Sequence, residues 1–426
     1  MLKKVKFTNY LILILFILSS GSVLNVLGIN DLIQITLFMV VLIISIKSGF
    51  LKNKKYVSIF ITLVFLILIL FSLQAVDFGD FSILFNNNNI KMLLLLASCV
   101  LICFYYYSKP NFLFYLNSIL FIFTLHGIIS CLIISFFPTQ NVLFSSVDEG
   151  ARYVGYFYVF FQRATVNYFG NLDPTFINYF GFQLQRAHGI AWEPGNFSVY
   201  VNIFIFLNLF IFKNKRNVIM GIFAMVMAWS TSGLIVMLIQ FSYYLISNIN
   251  KLSFKFIIPK IVIGSVVLFV LVNATINNFN EKIYGDKSGS GASRFLNTVS
   301  ALHTIYNNPF IGTGFNYDNY TAELDKSFSN SQALISSYVD SEKLRSVSST
   351  NSLFRLYVQF GIPVALILTI GLFKQTLIPR CKFIFAVIII VSTSSAPLML
   401  TPFYFLFMIS GFLNLVGVKN RHKILL

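Results

Sequence analysis

The sequence predicts an all-α, polytopic integral membrane protein with about twelve transmembrane helices, each a run of roughly 20 apolar residues. Three observations lead there. Of 426 residues, 57% are hydrophobic and only 11% are charged, against roughly a quarter charged in ordinary soluble domains. That balance excludes a soluble globular protein, and it excludes disorder, which needs few apolar residues and many charges. The apolar residues gather into long runs separated mostly by short polar connections. Finally, the net charge of +17 comes from 31 Lys+Arg against 14 Asp+Glu. The cations concentrate in alternate connections, which is the positive-inside pattern rather than a nucleic-acid footprint.

In chain order the apolar runs are 8–27, 29–46, 56–75, 92–107, 112–136, 190–212, 217–231, 233–249, 256–275, 351–373, 383–400 and 402–417. The first follows Lys3-Lys4-Val5-Lys6 like a signal peptide, but a second run comes at once and no small-x-small cleavage pattern intervenes, so it reads as an uncleaved helix. The runs 217–231 and 233–249 are split into two helices by the turn-type cluster Ser230-Thr231-Ser232-Gly233. Cys99, Cys103, Cys131 and Cys381 all lie in or beside apolar stretches without metal-ligand spacing, so neither a zinc site nor a disulfide framework is expected.

Placing the N-terminus in the cytoplasm puts Lys3, Lys4 and Lys6, the 47–55 lysines, Lys109, the 213–216 cluster, Lys251, Lys255 and Lys260, the 374–382 cluster and the C-terminal cations inside. Each of the 14 acidic residues, from Asp31 to Glu342, then falls outside. An even number of spans keeps both termini in the cytoplasm. The chain is one transmembrane domain, 1–426, with two long periplasmic loops, 137–189 and 276–350, where function is expected to concentrate. It has no G-x-x-x-x-G-K-[ST] loop and no dinucleotide fingerprint, so no nucleotide-driven domain is expected.

The first long loop interleaves Tyr153, Tyr156, Phe157, Tyr158, Phe160, Phe161, Tyr168 and further aromatics with Arg152, Arg163 and Arg186. Such a stretch suits an interfacial or re-entrant segment, or a platform for flat sugar faces. It runs into Gln185-Arg186-Ala187-His188-Gly189-Ile190-Ala191-Trp192-Glu193-Pro194, just before a span. Arg186 offers a planar fork for phosphate or carboxylate. Glu193 precedes a proline suited to a helix's first turn, so it reads either as a helix cap or as a carboxylate of a site beside Arg186, His188 and Trp192. His188 is a polar neighbour or a proton carrier.

In the second long loop, Ser288-Gly289-Ser290-Gly291 reads as a flexible lead-in to a helix on which Phe295, Val299, Leu302 and Tyr306 share one face. Arg294 lies off that face near the helix start, against the dipole, where an anionic ligand would give it a purpose. His303 falls on the solvated flank. The helix ends at Asn307-Asn308-Pro309 and is followed by Gly312-Thr313-Gly314. The next span opens at Asn351-Ser352-Leu353-Phe354-Arg355, which puts Arg355 about one turn into the membrane, either snorkelling to the surface or facing a polar cavity.

Together these residues resemble the bacterial O-antigen polymerase and O-antigen ligase families. The resemblance rests on Arg186-x-x-Gly189 followed by Glu193-Pro194, on the Ser230–Gly233 turn, and on Arg294 with Asn308-Pro309-Phe310-Ile311-Gly312-Thr313-Gly314, all in the last two thirds of the chain. Ligases typically carry His followed by Asn, Ser or Gln, then nine residues and Gly, at the span after the large loop. Here Asn351 and Gly361 keep that spacing, but Thr350 stands where the His would be, which favours a polymerase.

The resemblance implies a membrane-embedded glycosyltransferase of the C type in the bacterial inner membrane. Such an enzyme would transfer glycan from undecaprenyl pyrophosphate to a lipid-linked repeat unit on the periplasmic face. It implies Glu193 as base or orienting carboxylate and Arg186 and Arg294 as pyrophosphate-stabilising groups. Arg163, His188, Trp192, Asn351 and Arg355 become substrate-binding residues. Arginines can stabilise a departing pyrophosphate without a metal, and no metal or cofactor is expected. Expected partners are the undecaprenyl-pyrophosphate-linked oligosaccharide, membrane lipids and a polysaccharide chain-length regulator, with no nucleic acid. A ligase transferring polymer to lipid A–core is the alternative within the class. A lipid-linked oligosaccharide flippase would place ionisable residues along many helix interiors, whereas here they lie at helix ends and in loops.

Overall fold

The computed structural model describes residues 2–26, 28–107, 111–136, 147–148, 151–156, 160–166, 172–174, 176–179, 182–248, 289–335, 351–394 and 398–418. The expected span 256–275, Thr350, Lys109 and the C-terminal cations lie outside the described residues. The fold is mostly helical. Helices α1 (Leu2–Leu18), α2 (Asn30–Lys47), α3 (Lys54–Asp77), α4 (Asn87–Tyr107) and α5 (Phe112–Phe136) follow one another with short connections. After a β segment come α6 (Pro194–Phe206, continued by a π-helical turn Leu207–Ile211), α7 (Lys215–Ala228) and α8 (Thr231–Asn248). The second half holds α9 (Gly289–Asn307), α10 (Tyr317–Ile335), α11 (Ser352–Lys374), α12 (Lys382–Thr393) and α13 (Pro402–Leu415).

Among the described residues, 6 helices are long and apolar enough to cross a membrane: α2 to α5, α6 with its π turn, and α11. Apolar parts of α1, α12 and α13 are shorter. Their runs end early for local reasons. The run expected at 8–27 leaves the helix at Ser19, whose hydroxyl donates back to Phe16 O, and resumes as the single turn Val23–Val26. The run expected at 383–400 stops at Thr393. The pair 217–231 and 233–249 is indeed broken: Trp229 adopts the left-handed conformation (φ 46, ψ 48) and ends α7, and Ser230 starts α8.

Burial sorts the helices into centre and rim. In α6 with its π turn, 94% of the apolar window is buried, and in α4 78%, against 22% in α2 and 28% in α3. The rim helices expose Ile35, Met39, Phe65 and Leu66, the surface expected to meet lipid tails. Helices α11 and α13 cross closely because Gly371 and Gly411 meet there; a Cβ on Gly411 would fall 1.6 Å from Gly371 O. Small residues that let backbones approach are the usual device for packing helices in membranes.

Polar contacts divide the bundle into two ends. At one end Lys91 Nζ pairs with Asp31 Oδ1 at 2.8 Å, Trp192 N donates to Gly21 O, Ala187 N to Met227 O, and Leu398 N to Ser352 Oγ. At the other, Lys55 Nζ donates to Gly417 O, Asn414 Nδ2 to Lys374 O, and Tyr107 OH to Ser410 O. The described acidic side chains of the helix ends, Asp31, Asp77, Asp80 and Glu193, belong to the first end.

The segment between α5 and α6 departs from a purely helical fold. Strands β1 (Val147–Asp148), β2 (Ala151–Tyr156), β3 (Phe160–Val166) and β4 (Leu172–Pro174) form an antiparallel sheet in that order, and β5 (Phe176–Tyr179) pairs with β6 (Phe182–Gln185). Aromatic and β-branched residues favour strands, and closely spaced short runs of them pair as hairpins. The described residues of this aromatic-rich segment form strands.

Candidate functional site

The approach to α6 is held from three sides. Gln185 N donates to Ser135 Oγ and Cys131 Sγ donates to Gln185 O, fixing the end of β6 to α5. Val23 N donates to Ile190 O, and Ser22 bridges to Ala191, fixing the turn to the end of α1. Arg186 supplies the third tie. Its Nε donates to Ala228 O at 3.1 Å and its Nη2 to Trp229 O at 3.0 Å. Those carbonyls are the last of α7, left without intrahelical donors at its C-terminus. A cation there is favoured by the helix dipole. Arg186 thus caps α7 and orients the segment that carries Glu193.

Glu193 is the N-cap residue of α6, with extended backbone (φ −151, ψ 160), but its side chain makes no capping hydrogen bond. Pro194 takes the first helical position, where its missing N–H costs nothing. The carboxylate instead leans beside Gly195, at which an added Cβ would stand 3.2 Å from Glu193 Oε1. Of the two readings the sequence left open, the side-chain cap is not the one adopted. His188 is buried, 4% exposed, and its Nδ1 lies 2.8 Å from Ala191 O. A carbonyl can only accept, so Nδ1 carries the proton. Trp192 is half-buried. Arg186, His188, Trp192 and Glu193 all lie on the short connection between β6 and α6.

A second group forms where α11 begins. Asn351 is the N-cap of α11, its Oδ1 accepting from Leu353 N at 3.0 Å and Phe354 N at 3.4 Å, so its side-chain oxygen is engaged in capping. Arg355, one turn on, faces a cavity of ≈ 230 Å³ with Lys91, Gln34, Gln359, Tyr320 and Phe315. Its Cζ lies 5.5 Å from the centroid of the Tyr320 ring, in cation–π range. Arg355 is half-buried. Leu400 also lines the cavity, and the adjoining Leu398 packs toward Gly21, the residue whose carbonyl receives Trp192 N. The 398–401 loop thus stands between the two groups.

The roof of the second group is the α9–α10 hairpin. Helix α9 begins at Gly289, so the expected flexible lead-in is largely helical. Its buried residues are Leu296, Asn297, Ser300, Ala301 and Thr304, while Leu302 and Tyr306 of the expected apolar face are exposed. Small residues won the contact because α10 approaches closely: Thr304 Oγ1 donates to Ser327 Oγ at 2.9 Å. His303, half-buried, has its Nδ1 3.2 Å from Ser327 Oγ and from Asn307 Nδ2. The hairpin is latched to α11 by the Asn308–Gly314 segment. Helix α11 breaks at Gly361 (φ 73, ψ 168), ahead of Pro363, which frees carbonyls for outside donors. Thr313 N donates to Val358 O, Gly314 N to Gln359 O, and Ile362 N to Pro309 O, while Gln74 Nε2 of α3 bridges Ile311 O and Gln359 O.

The side chains of Arg163 and Arg294 lie outside the described residues. The backbone of Arg163 pairs with Tyr153 in the middle of the sheet, and Arg294 occupies the second turn of α9. The sequence reading missed Lys91, Gln34, Gln359, Tyr320 and Gln74. A signal existed for some of them: Gln74 and Gln359 interrupt apolar runs, and polar residues inside spans mark functional sites.

Residues 217–369 match the family model for O-antigen ligase. The match supports the O-antigen polymerase/ligase family for this chain. It covers α7, α8, α9, α10 and most of α11, and so takes in the latched hairpin, Asn351, Arg355 and Gly361. Members of the O-antigen polymerase/ligase family are glycosyltransferase-like enzymes acting on lipid-linked polysaccharide substrates. No curated protein and no solved structure matches the chain.

Proposed function

We propose that this protein is a surface-polysaccharide polymerase of the bacterial inner membrane, transferring glycan from undecaprenyl pyrophosphate to a hydroxyl of a second lipid-linked repeat unit on the periplasmic face. The observation that carries the proposal is Glu193: a carboxylate at the mouth of a buried helix whose side chain does not cap that helix. A carboxylate so placed can accept a proton from, or orient, an attacking hydroxyl. Breaking the glycosyl–phosphate bond moves charge onto the pyrophosphate, and cations aimed at that charge lower the barrier. Arg294 and Arg355 take that role. Arg186 positions Glu193 through its hold on α7. Arg163, His188, Trp192 and Asn351 contribute to the walls and framing of the substrate site.

The ligase reading is favoured by the description of the matching family. The polymerase reading is favoured by Thr350 in place of a histidine. The lipopolysaccharide or capsule banding of a strain lacking the gene separates them. A single repeat unit on lipid A–core is the polymerase result. Unattached lipid-linked polymer would mean a ligase, and loss of all units a flippase.

A further inference from the structure

Arg355 is a cation within an apolar bundle, and among the described residues no carboxylate comes within ion-pair distance of it. Its Nε is buried and has no hydrogen-bond partner. An arginine kept this way in a membrane protein is costly unless something anionic visits it. Two carboxamide oxygens in the same cavity are also buried and without partners: Oε1 of Gln34 and Oε1 of Gln359, the latter residue only 4% exposed. Buried polar atoms are ordinarily paired, so unpaired ones grouped round a cavity point to an absent partner. Lys91 brings a second cation to the wall, held by Asp31 at 2.8 Å.

The donors and acceptors specify a chemistry. Arg355 and Lys91 call for anionic oxygens, for which a guanidinium fork suits phosphate. The two Gln oxygens call for donors, which phosphate lacks at neutral pH and sugar hydroxyls or an acetamido N–H supply. Tyr320 and Phe315 offer aromatic walls. The volume, ≈ 230 Å³, is below the roughly 300–1,000 Å³ of pockets that enclose drug-sized ligands, so it suits one headgroup and not a polymer. We propose that the cavity between α2, α4, α10 and α11 binds the sugar-phosphate headgroup of a membrane lipid, with Arg355 on the phosphate and Gln34 and Gln359 on the sugar. This rests on the glycan-transfer reading and adds to it a specific seat for one lipid-linked substrate, across the 398–401 loop from Glu193.

The test uses the full chain in detergent and three probes: farnesyl pyrophosphate, the same compound carrying one N-acetylhexosamine, and phosphatidylglycerol, whose headgroup also combines phosphate with hydroxyls. The sugar-bearing probe should bind most tightly. Arg355→Met should weaken both pyrophosphates about tenfold or more, the scale of a lost charged hydrogen bond. Gln359→Leu should remove the preference for the sugar while leaving farnesyl pyrophosphate bound as before, which keeps the test informative if the Arg355 variant does not fold. Unchanged affinity for both pyrophosphates in a folded Arg355→Met protein would overturn the proposal. So would phosphatidylglycerol competing as well as the sugar-bearing probe, which would make the cavity a phospholipid seat. The gene-loss banding pattern reads the glycan-transfer proposal separately. A flippase pattern together with Arg355-dependent sugar-lipid binding would discard the enzyme reading and keep the cavity.

Discussion

Glu193 and Arg186 sit seven residues apart in one motif, and the structure separates their work. Glu193→Gln keeps the shape and one acceptor but cannot take a proton. The substitution should leave α6 capped as before, since the carboxylate makes no capping bond, while polymer formation falls by on the order of 100-fold, the scale of lost general-base help. Retained co-purification of lipid-linked substrate would show that binding survives. Normal polymer from the Gln variant would remove Glu193 from the chemistry. Arg186→Ala should do the opposite in part: it strips two donors from the end of α7, costing about 1.5–3 kcal/mol for a charged hydrogen-bonding group, so melting temperature and polymer fall together. Arg186→Lys, able to reach one carbonyl well, should restore part of both. The motif itself was legible in the sequence as charge at a membrane edge. That Arg186 ends on the carbonyls of Ala228 and Trp229 was not, because it depends on where α7 stops, more than forty positions away. Asn351 shows the same limit: its spacing to Gly361 was visible, while its use as an N-cap followed only from the backbone.

At the scale of elements, the spacing between Asn351 and Gly361 acquires a physical meaning. One residue starts α11 and the other breaks it, and the broken turn is where the Asn308–Gly314 segment docks. Gly361 has φ 73 and ψ 168, a region open in practice to glycine alone, and an added Cβ would stand 2.4 Å from Phe310 O. Gly361→Ala should therefore destabilise the protein by more than about 2 kcal/mol and loosen the α9–α10 hairpin, read as a lower melting temperature and faster amide exchange in 308–335. Gln74→Leu removes two hydrogen bonds to that latch and should give a milder version of the same pattern, about 1–3 kcal/mol. Exchange in the hairpin indifferent to both substitutions would show that the latch does not hold it. The described membrane helices were readable from apolar runs, but α10, which carries no such run, and the buried residues of α9 were not. Periodicity put Leu302 and Tyr306 on one apolar face; in the structure both are exposed, and Ser300, Ala301 and Thr304 are the buried residues. The close approach of α10 selects small residues at the contact, where Thr304 Oγ1 donates to Ser327 Oγ. The strands of 147–185 were missed for a related reason: aromatics at an interface and aromatics in a hairpin leave the same composition.

For the whole molecule, Lys55 and Lys374, which the charge pattern puts on one side, both reach the C-terminal end of α13. Charge grouped the 47–55, 213–216 and 374–382 segments together and set Asp31, Lys91 and Glu193 apart. In the structure Lys55 reaches Gly417, and Asn414 reaches Lys374, at one end, while Lys91 meets Asp31 at the other. Those contacts place Lys55, Lys374, Asn414 and Gly417 at one end of the described bundle. Which end faces the cytoplasm follows from the positive-inside rule. Reporter fusions near Lys52, Lys213 and Lys374 should therefore be cytoplasmic, and fusions near Asp173 and Glu323 should be active on the far side of the membrane. The second pair matters most for function, because Asp173 lies in the strand segment leading to Arg186 and Glu193, and Glu323 lies in the hairpin over the Arg355 cavity. If those two fusions reported different compartments, the two groups could not serve one reaction, whatever the rest of the topology. If both reported the cytoplasm, the sugar-bearing ends of periplasmic lipid intermediates could not reach either group, and the transfer proposed here would have to be abandoned.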